Sequence, residues 1–258
     1  MDIGEVVDIE QSANSASAFI ELGREFLDKK HFAEAEQCYR VAAALSTENN
    51  LSSHLATACW QIGYIAQGRW QFNEAELWFK RALRLFELMS ETKQVLLTLH
   101  NLGLTAFHHG NYKLAEKRIR RALTIELQEG MTRDVAQDYH RLAAIASHCN
   151  ELERASLFYR RALAIFEELS YPPFSLYTLV ELGVLYRKMG HYEQSLTLYA
   201  QAWEIAQKYE VEDPIENILA GIVGIFTQAG EKNFIAAWPA SYAPPPLKEI
   251  RKFRAKLQ

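Results

Sequence analysis

The sequence predicts an all-α repeat protein built of stacked antiparallel helix pairs, and three observations carry that prediction. One segment is written several times: WFKRALRLFELM from Trp78, RIRRALTIELQE from Arg118 and FYRRALAIFEEL from Phe158, with weaker copies from Cys38 and Leu198. Each start stands forty residues from the next. A small residue also keeps one place in every copy, as Gly23, Gly63, Gly103, Ala143 and Gly183. Around it apolar residues recur at i, i+3 and i+4, the spacing of one helix face.

Taken in order, each repeat reads as two helices. Leu22, Ile62, Leu102, Leu142 and Leu182 precede the small residue in the first helix. The second helix carries Ala35, Ala75, Ala115, Ala155 and Ser195, then the large residues Tyr39, Phe79, Ile119, Tyr159 and Tyr199, then Ala42, Ala82, Ala122, Ala162 and Ala202. Small residues belong where two helices cross closely, and larger ones fill the space between pairs. Gly110, Gly190 and Gly230 mark the turn after the first helix, where a left-handed residue is needed. A lone pair cannot bury its apolar stripe, whereas stacked neighbours can.

Repeats start near residues 16, 56, 96, 136 and 176, with a partial copy near 216. That sixth copy opens with Asp213-Pro214 and Glu216, a capping aspartate, a first-turn proline and a box-closing glutamate. Its second helix is degenerate, with Ile235 in the alanine place. AWPASYAPPP then breaks the chain, and LKEIRKFRAKL sets Leu247, Ile250, Phe253 and Leu257 on one face of a basic capping helix. The expected organisation is an acidic tail over 1–14, the repeat stack over 15–230, and the degenerate helix, break and cap over 231–258.

The pattern F..LG..F........A...Y..A from Phe19 to Ala42 resembles the tetratricopeptide repeat, and the resemblance covers residues 16 to about 230. It implies a right-handed superhelical solenoid of five full repeats, a degenerate sixth and a C-terminal helix. Two departures stand out. The period is forty, against about 34 in the usual repeat. The family's terminal proline is replaced by Thr47, Glu87, Leu127, Glu167 and Gln207. Both helices should therefore be longer, as in the repeats of kinesin light chains, spindle-orientation adaptors, bacterial peptide-sensing regulators and the sensor arms of some signalling ATPases.

The resemblance also implies a concave groove lined by the first helices. Carried onto this chain, its contact positions give Trp60, Gln61, Tyr64, His100, Asn101, Phe107, His108, His140, Arg141, His148 and Arg187. Amide and guanidinium groups would hold peptide carbonyls and carboxylates, and rings would supply apolar area. The chaperone-tail clamp of the family is incomplete: of its five positions, here Trp60, Tyr64, Asn101, Gln137 and Arg141, only Asn101 and Arg141 match.

Other classes are argued against. The 28 basic and 32 acidic residues give a net charge of −4, the wrong balance for nucleic acid. The ladder Arg40, Lys80-Arg81, Arg120-Arg121 and Arg160-Arg161 is better read as helix-surface pairing, because Glu36, Glu76 and Glu116 stand four residues before a ladder residue. The longest apolar run, ILAGIVGIF at 218–226, is far below the ~20 residues of a membrane span. Cys38, Cys59 and Cys149 are odd in number and unpaired in spacing, which suits a reducing cytoplasm. His100 and His108 stand about 12 Å apart along one helix, too far to share an ion. His100 and His140 lack a carboxylate or Cys to complete a set, so no metal and no cofactor is expected. A groove whose histidines titrate near neutrality is the modest alternative. No phosphate loop, HExxH or nucleophile elbow is present, so the reading is not an enzyme but a scaffold or adaptor for a peptide or partner helix. The alternative is a ligand-controlled sensor acting on a separate effector.

Overall fold

A computed structural model describes residues 3–211, 215–242 and 246–256, with side chains from residue 14 onward except at 231 and 232. Among these residues there are thirteen α-helices and no strand. They are α1 (Ile3–Asp28), α2 (Phe32–Glu48), α3 (Ser52–Gly68), α4 (Phe72–Leu88), α5 (Thr92–His108), α6 (Tyr112–Glu129), α7 (Thr132–His148), α8 (Leu152–Glu168), α9 (Pro172–Lys188), α10 (Tyr192–Lys208), α11 (Ile215–Ala229), α12 (Glu231–Ala237) and α13 (Leu247–Lys256). The chain packs as two compact units, Met1–Ile125 and Glu126–Gln258.

The forty-residue period divides evenly. From α2 to α10 every helix has 17 residues, except α6 with 18. Short turns separate them, and each turn holds one left-handed residue. Within a repeat these are Lys30, Trp70, Gly110, Asn150, Gly190 and Gly230. Between repeats they are Asn50, Ser90, Gly130, Ser170 and Glu210. The turn hydrogen bonds show why. The Gln71 N–H reaches back to the Ala66 carbonyl at 2.9 Å, and the Trp70 N–H donates to Gln67 at 3.0 Å. Closing the helix end in this way satisfies carbonyls that would otherwise lack partners.

Close crossing within each pair is decided by the small-residue place. A methyl carbon added at Gly63 would stand 2.9 Å from the Phe79 ring. At Gly23 it would meet Tyr39 at 2.9 Å, and at Gly183 it would meet Tyr199 at 3.0 Å. The ring of the second helix therefore lies directly on the bare backbone of the first. Tyr39, Phe79 and Tyr199 are fully buried as a result.

The second helices are tied along their outer faces. Arg40 pairs with Glu36, Lys80 with Glu76 and Arg120 with Glu116, as the spacing predicts. Links between repeats come from the place of the missing proline. Thr47 accepts from Arg81 at 3.2 Å, Glu87 from Arg121 at 2.5 Å, and Glu167 from Gln201 at 3.2 Å. Each acceptor stands 34 residues before its donor. Arg40 also reaches forward to Glu74 at 2.6 Å.

One expectation needs revision. Residues 1–14 were expected to form a tail, but α1 begins at Ile3. No proline falls between Ile3 and Asp28, and after Gly4 no glycine interrupts the run until Gly23. The Asp213-Pro214 helix start and Leu257 lie outside the described residues. At the C-terminal end, Ile250 of α13 is fully buried in one cluster with Ile218, Ile222 and Phe226 of α11 and Phe234 of α12, while Leu247 and Phe253 pack against it. No described helix is long and apolar enough to cross a membrane.

Candidate functional site

In unit 1 the first helices approach one another across repeats, α1 against α3 and α3 against α5. The candidate residues of α3 and α5 lie along this inner row. Trp60 stacks on Tyr64 at 5.6 Å and meets Phe79 edge-on at 6.1 Å. Its indole N–H is buried and finds no acceptor among the described residues. Trp60 is thus a spacer between α3 and α4, and Tyr64, 48% exposed, is the ring that α3 displays. On α5, Asn101 donates to the Leu97 carbonyl at 2.9 Å. Gln67 crosses from α3 to the Asn101 carbonyl at 3.1 Å and the Thr105 hydroxyl at 2.8 Å. Gln61, Asn101 and His100 are half-buried on this face. Phe107 is half-buried against Tyr112 at 5.5 Å, whereas His108 is exposed.

Unit 2 treats its candidates differently. His140 is not displayed: its Nδ1 lies 3.1 Å from the Thr178 hydroxyl of α9, and its ring stands edge-on to Tyr159 at 5.1 Å. Burial, with Arg141 nearby, pushes its pKa down to about 4. The expectation of a groove histidine titrating near neutrality therefore fails here, because desolvation penalises the imidazolium. Arg141 is committed as well. It donates to Asp138 at 2.6 Å and to Gln137 at 3.3 Å. Arg187 lies against Gly224 of α11, with its Nε buried and meeting no acceptor among the described residues. His148 is exposed, and burial raises the pKa of the Glu181 carboxylate against the lowering pull of Lys188 and His148.

Two residues were missed. Asp138 and Glu126 are fully buried carboxylates whose oxygens lie within 4.8 Å of one another. The expectation was that no carboxylate or Cys completes a set with His100 and His140, and these two buried carboxylates stand close together on α6 and α7. A signal existed in the repeat register. Asp138 occupies the column of Ala58, Thr98 and Thr178, and Glu126 that of Ser46, Phe86, Phe166 and Ala206. All of those neighbours are buried. A charge in a column of small or apolar buried residues marks an exception worth following.

The tetratricopeptide repeat family matches residues 175–214, one full forty-residue period across α9 and α10. That stretch is a tetratricopeptide repeat. Solved structures of the same fold include the apo form of RapI, with 19% identity and a TM-score of 0.76, covering 94% of this chain and 64% of RapI. BtubC (BKLC) from P. vanneervenii matches at 18% identity and a TM-score of 0.66, over 82% of this chain and 94% of its own. The Rap conjugation gene regulator of the plasmid pLS20, solved in complex with the Phr* peptide, matches at 19% identity and a TM-score of 0.57, over 93% of this chain and 61% of its own. No curated protein matches the chain. In unit 1, Tyr64 is exposed, with Gln61 and Asn101 half-buried on the same row, whereas in unit 2 His140 meets Thr178, Arg141 meets Asp138 and Gln137, and Arg187 lies against Gly224.

Proposed function

We propose that this helical-repeat protein is a binding scaffold of the tetratricopeptide repeat kind that captures an extended peptide or partner helix on the inner row of first helices, with α3 and α5 of unit 1 making the leading contacts. The carrying observation is the combination of displayed Tyr64 and Leu104 with half-buried Gln61 and Asn101 on adjacent helices. Side-chain amides there can pair with peptide carbonyls and N–H groups while the apolar side chains supply contact area. The Rap regulator solved with the Phr* peptide supports a peptide as the class of ligand. An open row of helices does not exclude water, which suits capture rather than catalysis.

The test is selection of random dodecapeptides displayed on phage against the full chain, followed by affinity measurement on the Gln61→Ala, Asn101→Ala double variant. Enriched peptides should bind that variant at least tenfold more weakly. Equal affinity for wild type and variant would remove α3 and α5 from the binding account.

A further inference from the structure

A ridge and a cleft lie side by side at the turn edge of unit 1. Phe32, Tyr64, Trp70, Phe72, Leu104 and His108 wall most of a cleft of about 510 Å³. Trp70 also borders a second hollow of about 360 Å³, which it shares with Asn73, Glu74 and His109. Walling two hollows and 69% exposed, the indole is a ridge, held edge-on to Phe72 at 5.7 Å and to His108 at 5.5 Å.

The fold has no need of an indole here. Its φ is +63°, and the same turn of the other repeats holds Lys30, Gly110, Asn150, Gly190 or Gly230. A bulky residue is strained in the left-handed region, and a ring left in water forgoes burial.

The extent of the patch suits a protein surface. Beside Trp70, Tyr64 is 48% exposed, Phe32 47% and Leu104 46%. A whole aromatic side chain covers about 150–250 Å², so these four set on the order of 400 Å² of apolar surface in water. A standard interface takes about 800 Å² from each partner, and about 56–65% of that is apolar. The patch is therefore close to the apolar share that one partner must supply.

Its rim narrows the partner. The exposed charges before and after Phe32 balance, with Asp28 and Glu34 against Lys29 and Lys30. Arg69 pairs with Glu36, and Glu74 with Arg40. A balanced rim around an apolar centre attracts neither a strongly acidic nor a strongly basic partner. It does complement itself, because a twofold axis brings each sign opposite its counterpart. A ridge beside its own cleft has the same property, since each copy offers the knob that the other's hollow receives.

We infer that this face is an interface between two copies of the chain, in which Trp70 of each copy enters the cleft of the other about a twofold axis. Mixed charges at the rim then fix the register of the pair. The inference goes beyond peptide capture on the inner row and does not depend on it. Tyr64 and Leu104 belong to both surfaces, but Trp70 and Phe32 carry the dimer.

The test is sedimentation equilibrium of the full chain, with a reducing agent present because Cys149 is exposed. The weight-average mass should rise from one chain towards two between about 1 and 300 µM, the range of a micromolar dissociation constant. Trp70→Asn should weaken the dimer at least tenfold without lowering the denaturation midpoint, because Asn150 already occupies the equivalent turn. Phe32→Gln should weaken it as well, and Gln61→Ala, Asn101→Ala should leave it within twofold. Two rim variants test self-pairing. Lys29→Glu, Lys30→Glu leaves a negative rim, and Asp28→Lys, Glu34→Lys a positive one. Each alone should dimerise at least tenfold more weakly than wild type, and an equimolar mixture should recover most of the loss as a heterodimer. A mixture no tighter than its components, or a dimer indifferent to both Trp70→Asn and Phe32→Gln, would overturn the assignment. A wild type that stays monomeric throughout would overturn it too, leaving the cleft to a small apolar ligand or another protein.

Discussion

Replacing Gly63 by Ala tests whether the repeat is held together by bare backbone against a ring. The added methyl would stand 2.9 Å from Phe79 Cδ1 and 3.0 Å from Cε1, well inside ordinary carbon–carbon contact at about 3.5–4.0 Å. Phe79 is fully buried and meets Trp60 edge-on, so its ring has little room to retreat. Two terms oppose each other. Alanine is favoured over glycine in a helix interior by about 1 kcal/mol, and overpacking costs about 1–3 kcal/mol. The clash should win, leaving Gly63→Ala destabilised by about 1–2 kcal/mol. Phe79→Leu should cost about 1–1.5 kcal/mol by itself. In the double variant the vacated ring space admits the methyl, so the loss should fall short of the sum by about 1 kcal/mol. Gly68→Ala is the internal control on the same helix. Nothing lies within 4 Å of its added methyl, so it should gain up to about 1 kcal/mol. Urea denaturation followed by the helical circular dichroism signal reads all four. A Gly63→Ala variant as stable as Gly68→Ala, or strict additivity with Phe79→Leu, would refute the packing argument.

Three further outcomes follow from the site geometry, two in unit 2 and one in unit 1. His140 has a folded pKa of about 4, below the ordinary value of about 6.5, so between these values the unfolded chain binds a proton that the folded chain refuses. Stability should be unaffected by this group above pH 6.5 and fall progressively towards pH 4, by up to about 3 kcal/mol. Denaturation midpoints of wild type and His140→Gln across that window should diverge, the variant showing the flatter profile; parallel profiles would contradict the burial account. Arg141→Ala removes a partner of the fully buried Asp138 and should destabilise by about 2–3 kcal/mol, less than the loss of a fully buried pair because the arginine is partly exposed. Asn101→Ala, whose amide bonds only its own helix turn among the described contacts, should stay within about 0.5 kcal/mol of wild type. Thermal melts of the two single variants separate the cases, and equal melting would show that Arg141 is a displayed groove residue after all.

Much of the fold was legible because a repeat averages its own noise. The small residue on a forty-residue period, the large residue sixteen residues later and the turn seven residues after the small one each recur, so their shared reading does not depend on any one copy. The glutamate-to-arginine pairs of the second helices were legible for the same reason, since both partners lie on one helix four residues apart. The ends of the chain offered no such repetition, and α1 runs into the stretch that composition alone assigns to a tail.

The sequence by itself determined the helix pair, its period, its turns and the row formed by the first helices, because these follow from local periodicity and backbone chemistry. Only the tertiary structure decided which members of that row are free. Thr178 and Asp138 take up His140 and Arg141, and α11 takes up Arg187, through neighbours brought in by helix packing. The same packing gathers Phe32, Trp70, Phe72 and His108 from three separate turns into one cleft. Burial and desolvation are properties of what a neighbouring helix sets against a side chain, and a slot in a repeat fixes the face but not the neighbour.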